Sequence, residues 1–204
     1  MKKSIISIVA LLLSVSIIAF VACSKHWDVQ TERIEGKTHL ASLPLGIASK
    51  NGEMHFYFDK EEYIRLFEKC IRENLGDDYV LEDVKIVDRD PSNMDSIAEL
   101  QQTIFDLESG KTINLFSLLD KRSDGNNVEY ILTSDKPKRD VTCEGTNCQG
   151  GGCSPNADRT DCTPCGNEQG TCKKTDKPGQ SGWGITWKDV IGWGVAILIA
   201  ILTK

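Results

Sequence analysis

Apolar residues recur at helical spacing over residues 60–75. They fall on one face of a helix with 3.6 residues per turn, and they are Tyr63, Ile64, Phe67, Ile71 and Leu75. Asp59 precedes this stretch and Glu62 follows three residues later, which is the arrangement of a capping box at a helix start. Gly76 stands where a C-cap is expected. The pattern therefore predicts a helix over residues 60–75.

Shorter apolar runs around this helix predict strands at residues 54–58, 79–87, 103–107, 112–116 and 128–133. Glu108-Ser109-Gly110-Lys111 separates two of these runs and is typical of a hairpin turn. Residues 97–107 also fit a helix, but the adjoining hairpin favours a long strand. We therefore predict an α+β fold in which one helix packs on a small antiparallel β-meander.

The first 23 residues have the pattern of an export leader. Lys2 and Lys3 form a positive start, an apolar stretch follows to Val21, and the small residue Ala22 precedes Cys23. Polar residues begin directly after Cys23. The pattern predicts that this chain is exported from the cytoplasm.

This leader resembles that of bacterial lipoproteins, in which a small residue stands immediately before the modified cysteine. The resemblance implies that a peptidase cleaves before Cys23 and that its thiol carries diacylglycerol, with acyl chains such as palmitate holding the protein in a membrane. Two other interpretations stay open at this point. The segment could be an uncleaved signal anchor, or an ordinary secretory signal cleaved elsewhere.

A segment rich in cysteine follows the predicted meander. It contains few large apolar side chains, so cross-links must order it, and its cysteines are Cys143, Cys148, Cys153, Cys162, Cys165 and Cys172. Because an exported chain meets an oxidising compartment, we predict that these six residues form disulfides. Sequence does not decide how they pair.

Two other chemistries of the same cysteines stay open. Cys148 and Cys153 could join Cys162 and Cys165 in a tetrahedral zinc site. Cys162-Thr-Pro-Cys165 resembles the CxPC motif of thioredoxin-like proteins, which implies thiol–disulfide exchange. That motif works at a helix N-terminus after a strand, whereas its neighbours here are polar.

The last residues, 183–203, are mostly apolar. Tryptophans at 183 and 187 suit a membrane interface, and small residues at 192, 196 and 200 form a ridge that allows close helix packing in lipid. We predict an apolar C-terminal helix that associates with the membrane, as a transmembrane or interfacial helix. The alternative is a helix packed on the domain.

Composition and single residues add little chemistry. A net charge of −6 without a basic stripe argues against nucleic-acid binding. His26, His39 and His55 belong to no zinc or nucleophile motif, and no phosphate loop or dinucleotide fingerprint is present. We predict no enzymatic activity, no cofactor and no bound metal. Cys70, beside the apolar helix face, is expected to be a buried small hydrophobe, with a bridging or reactive thiol as the alternative.

These observations divide the chain into a signal peptide (1–22), a tether (23–52), a small α+β domain (53–136), a Cys/Gly-rich segment and linker (137–182) and an apolar C-terminal helix (183–204). They predict a non-enzymatic lipoprotein of the bacterial cell envelope with a binding or structural role. Its expected partners are membrane lipid and another envelope protein. The alternatives are a thiol–disulfide oxidoreductase or metal-binding protein, and a membrane-active or assembly factor acting through its C-terminal helix.

Overall fold

The computed structural model describes residues 42–49, 53–132, 140–148, 153–176, 178 and 185–202. Within these ranges the strands are β1 (Leu43–Ala48), β2 (Met54–Phe56), β3 (Tyr79–Asp88), β4 (Ala98–Asp106), β5 (Lys111–Asp124), β6 (Asn127–Leu132), β7 (Val141–Thr146) and β8 (Thr171–Lys174). The helices are α1 (Lys60–Leu75) and α2 (Trp187–Leu202). The order of elements is β1-β2-α1, then β3 to β8, then α2.

All eight described strands belong to one antiparallel sheet, whose main path runs β2-β1-β6-β5-β4-β3. The long strand β5 organises it. One edge of β5 pairs with β4 over its first nine residues, 111–119. The other edge pairs with β7 over residues 112–116 and with β6 over residues 120–124. Strand β8 pairs with β7 and extends the sheet into the cysteine-rich part of the chain.

Helix α1 has the predicted bounds and caps. The Asp59 side chain accepts a hydrogen bond from the Glu62 backbone N–H at 2.9 Å, which ties down the first turn. Gly76 ends the helix with φ of 105°, a conformation that favours glycine. Tyr63, Phe67 and other residues of the predicted face are buried against the sheet. The α+β class and the hairpin between β4 and β5 are confirmed as well.

Helix α2 packs on the same core. A reciprocal cap fixes its start: the Thr186 N–H donates to Asp189 Oδ2 at 2.7 Å, and the Asp189 N–H donates to Thr186 Oγ1 at 3.3 Å. Trp187 is buried and its ring meets that of Tyr79 edge-on, with 6.0 Å between centroids. Ile197 is also buried in this core. The C-terminal helix is therefore part of the domain, as the alternative interpretation of the tail had it.

The two helices approach each other closely at Gly194. A Cβ atom at this position would lie 2.6 Å from Tyr63 Oη and 2.8 Å from Gln102 Nε2. Gly192 belongs to the small-residue ridge predicted for packing in lipid, but it is exposed, and a Cβ atom there would meet nothing within 4 Å. The glycine that allows close packing in α2 is thus Gly194, and its partner is α1.

The structure also differs from the sequence prediction in other respects. Strand β1 occupies part of the predicted tether, and β7 and β8 lie within the predicted irregular segment. These strands join the sheet of the predicted 53–136 domain, and α2 packs on the same core. The predicted boundaries at 137 and 183 therefore do not separate independently packed domains. Strand β2 is shorter than the predicted strand over residues 54–58. Neither helix in the described ranges combines the length and apolar content that a bilayer span requires.

Candidate functional site

Three disulfides cross-link the cysteine-rich segment. Their pairings are Cys143–Cys162, Cys148–Cys165 and Cys153–Cys172. Each bond joins the part of the segment before residue 154 to the part after residue 161. The segment thereby gains an ordered shape with only a small apolar cluster around Phe116 and Val141.

A buried ion pair docks this disulfide segment on the sheet. The Arg159 guanidinium pairs with the Glu99 carboxylate of β4, and both side chains are almost completely buried. Arg159 Nη2 also donates to the Phe116 carbonyl oxygen at 3.2 Å. Burial, with a smaller contribution from nearby Arg89, lowers the pKa of Arg159 to about 10. The guanidinium therefore keeps its charge at neutral pH. This pair could not be predicted from the sequence, because its members lie 60 residues apart in segments assigned to different domains.

Gly145 in β7 leaves room for two of the disulfides. A Cβ atom there would lie 3.0 Å from Cys153 Sγ and 3.1 Å from Cys148 Sγ. Both contacts are tighter than ordinary packing, so a side chain at this position would require the sulfur atoms to shift by a few tenths of an ångström. Glycine thus suits the close approach of the strand to the sulfur atoms.

The two cysteines of the CTPC motif belong to different disulfides. Cys162 pairs with Cys143, and Cys165 pairs with Cys148. Residues 162–165 form neither strand nor helix, apart from a single bridge between Cys162 and Pro155. A thioredoxin-type motif needs its two sulfurs bonded to each other at a helix N-terminus, where the dipole lowers a thiol pKa. The described geometry does not supply that arrangement.

A cleft of about 270 Å³ opens where β7, β8 and the start of α2 meet. Its lining is mixed, with three threonines, two aspartates, a lysine and two large apolar side chains: Asp140, Thr142, Thr175, Asp176, Thr186, Trp187, Lys188 and Ile191. Concave sites with a few convergent polar groups are where proteins usually bind small ligands. Sequence did not single out these residues, since they come together only when α2 docks beside β8.

Two further cysteines, Cys23 and Cys70, lie outside the cysteine-rich segment. Cys23, the predicted lipidation residue, lies outside the described residues. Cys70 is fully buried in α1, as expected, but it is disulfide-bonded rather than a bare hydrophobe. His55 lies in β2 with an exposed side chain.

The chain matches no protein-family model, no curated protein and no solved structure.

Proposed function

We propose that this chain is a lipid-anchored, non-enzymatic protein of the bacterial cell envelope, in which a disulfide-bonded surface on a small α+β domain binds a partner or serves as a structural element. The observation that carries the proposal is the set of three disulfides within residues 143–172. Such bonds persist in exported proteins and are rare in the cytoplasm, where thiols are kept reduced. They fit the export leader that ends at Cys23.

The anchor rests on the sequence around Cys23. An apolar leader with Lys2 and Lys3 at its start and Ala22 before the cysteine resembles the lipoprotein pattern. Two or three acyl chains on one cysteine give stable attachment, whereas a single chain holds a protein only marginally. With the lipid on Cys23, the polypeptide between it and β1 would separate the domain from the bilayer.

The binding or structural role rests on the disulfide segment and the cleft beside it. Six cysteines of the segment are consumed in disulfides, which leaves no thiolate among them for nucleophilic or redox chemistry in the oxidised protein. Threonine hydroxyls, two carboxylates and Lys188 around the cleft provide hydrogen-bonding groups for a polar partner. Trp187 and Ile191 complete the lining of the cleft.

The proposed anchor requires a free thiol at Cys23. A thiol that carries diacylglycerol in a thioether cannot also form a disulfide. Lipidation and disulfide bonding are therefore alternative fates of Cys23, and a test of the anchor must distinguish them.

Metabolic labelling with a palmitate analogue in a bacterial host tests the anchor. We expect the wild-type chain to incorporate label and to fractionate with membranes, and the Cys23→Ala variant to incorporate none. Cys70→Ala is the matched control, because it also removes one cysteine outside the disulfide segment and should remain labelled. Label in Cys23→Ala, or no label in the wild type, would contradict the proposal.

A further inference from the structure

Three sulfur atoms from two different disulfides form a compact cluster. The Sγ atoms of Cys143, Cys162 and Cys172 all lie within 4.8 Å of one another. Cys143 and Cys162 are bonded together, and Cys172 is bonded to Cys153. In a tetrahedral zinc–thiolate site each sulfur lies about 2.3 Å from the metal, which places neighbouring sulfurs about 3.8 Å apart. The three sulfurs are therefore close enough for small side-chain rotations to bring them to that spacing once the disulfides are opened.

Backbone pairing holds two of these residues in place independently of the disulfides. Cys143 in β7 is in register with Asn114 of β5, and Cys172 in β8 is opposite Gly145 of β7. These ladders are made of backbone hydrogen bonds, which reduction does not break. Cys143 and Cys172 therefore stay on adjacent strands when the sulfurs are reduced.

The third residue, Cys162, is held by the loop that the buried ion pair docks. Arg159 is three residues before Cys162 and pairs with Glu99 inside the domain. Pro155 and Cys162 also form a bridge that closes this loop on itself. The loop thus has attachments to the sheet that do not depend on sulfur.

We propose that reduction of the Cys143–Cys162 and Cys153–Cys172 disulfides turns this cluster into a zinc site. Each disulfide takes two electrons and two protons from a dithiol, which closes to its own disulfide, and four protein thiols result. Zn²⁺ then binds the sulfurs of Cys143, Cys162 and Cys172 as these thiols lose their protons. Cys153 lies outside the three-sulfur cluster but is bonded to Cys172 in the oxidised chain, so its thiol has to turn towards the metal to supply the fourth ligand. When a disulfide oxidant takes up two electrons and two protons for each pair and is itself reduced to a dithiol, the two protein disulfides re-form and the metal is released. This inference does not depend on the lipid anchor.

The ligand set differs from the one that sequence spacing indicates. A CxxC pair normally supplies two ligands to one zinc ion, which would place Cys162 and Cys165 together. In the structure Cys165 belongs to the third disulfide, with Cys148, and is not part of the sulfur cluster. The Cys148–Cys165 pair is therefore a built-in control, since its removal takes away as many thiols as removal of two ligands.

Cobalt binding to the full-length chain tests the site. The chain is reduced with a phosphine in the absence of oxygen and titrated with Co²⁺, whose absorption reports tetrahedral thiolate coordination, and bound Co²⁺ is then displaced by Zn²⁺. We expect one Co²⁺ per reduced chain and none on the oxidised chain. The double variant Cys143→Ser/Cys172→Ser should bind Co²⁺ at least about 100-fold more weakly, because it loses two of four ligands. Cys148→Ser/Cys165→Ser should keep the wild-type spectrum and affinity.

Equal loss of Co²⁺ binding in the two double variants would overturn the proposal, because it would mean that any four cysteines of a loosened segment suffice. Equal retention would overturn it in the same way. A reduced wild-type chain that binds no Co²⁺, or an oxidised chain that binds it as tightly as the reduced one, would also overturn the proposal.

Discussion

Arg159 in the disulfide segment pairs with Glu99 on β4 inside the protein, where both side chains are almost completely buried. The pair joins two parts of the chain that differ sharply in composition. One is a conventional sheet strand, and the other is a loop whose own interior consists largely of sulfur. A charge taken out of water is stabilised only while its partner is present. The docking of the disulfide segment therefore depends on this contact.

We predict that Arg159→Met lowers the free energy of unfolding by roughly 3 kcal/mol, because the variant leaves the Glu99 carboxylate buried without its cation. The double variant Arg159→Met/Glu99→Met should recover most of this loss, since no charge is then buried. Urea denaturation of the three proteins, with disulfides intact, measures both effects. A double variant as unstable as the single one would show that the ion pair itself, rather than the unpaired carboxylate, accounts for the loss.

The packing of α2 on α1 can be tested at two glycines of the same helix. Gly194→Ala should lower the free energy of unfolding by roughly 2 kcal/mol, because the added methyl group meets Tyr63 and Gln102 at less than 3 Å. Gly192→Ala places the same methyl group in open space and should be neutral or stabilise the protein by up to about 1 kcal/mol. Thermal or urea denaturation distinguishes the two. If both substitutions stabilise the protein, α2 does not pack on α1 as described.

Two buried tyrosines predict a loss of stability at alkaline pH. Burial raises the pKa of Tyr63 well above its usual value, against the opposing effect of a hydrogen bond from Gln102, and burial and Asp88 raise the pKa of Tyr130. Above pH of about 10 the unfolded chain releases these phenolic protons while the folded chain retains them. Stability is therefore fully present below that pH and falls as pH rises, by up to about 1.4 kcal/mol per pH unit for each group.

The comparison of wild type with Tyr63→Phe measures this effect. Unfolding by urea at about pH 8 and about pH 11 should show a smaller difference between the two pH values in the variant, because one of the two titrating groups is gone. The variant also leaves the Gln102 amide without its hydroxyl partner, so its stability at the lower pH should fall as well. An unchanged difference between the two pH values would mean that Tyr63 is ionised to the same extent in both states.

Sequence predicted the elements whose signals are local. Helix α1 was predictable because its apolar face and the cap at Asp59 lie within a span of 17 residues. The β4–β5 hairpin was predictable because Gly110 sits in a turn between two apolar runs, and its φ of 65° favours glycine. In both cases the local sequence determines the element, with little dependence on contacts to distant parts of the chain.

The missed elements depend on partners far away in sequence. Strand β1 contains Pro44 and Gly46, which are typical of loops. It forms because it pairs with β2 on one side and with β6 on the other. A bulge between Pro44 and Gly46 accommodates the pairing with β6. Strand β7 is short and rich in small and polar residues, and β5 supplies its partner. The sequence of the apolar tail could not decide whether the helix packs in lipid or on the protein core, because both environments favour the same side chains. The presence of disulfides could be predicted from the sequence, but their pairing could not, because it depends on how β7 and β8 lie in the fold.

The intact mass of the protein extracted from bacterial membranes distinguishes a lipid-anchored chain from an unlipidated one. We expect a chain that begins at Cys23, carries diacylglycerol and at least one further acyl chain, and contains the three disulfides of residues 143–172. Mass before and after reduction and alkylation counts the disulfides, and peptide mapping locates the lipid. A chain without acyl groups, in which Cys23 forms a disulfide or keeps a free thiol, would contradict the proposed anchor.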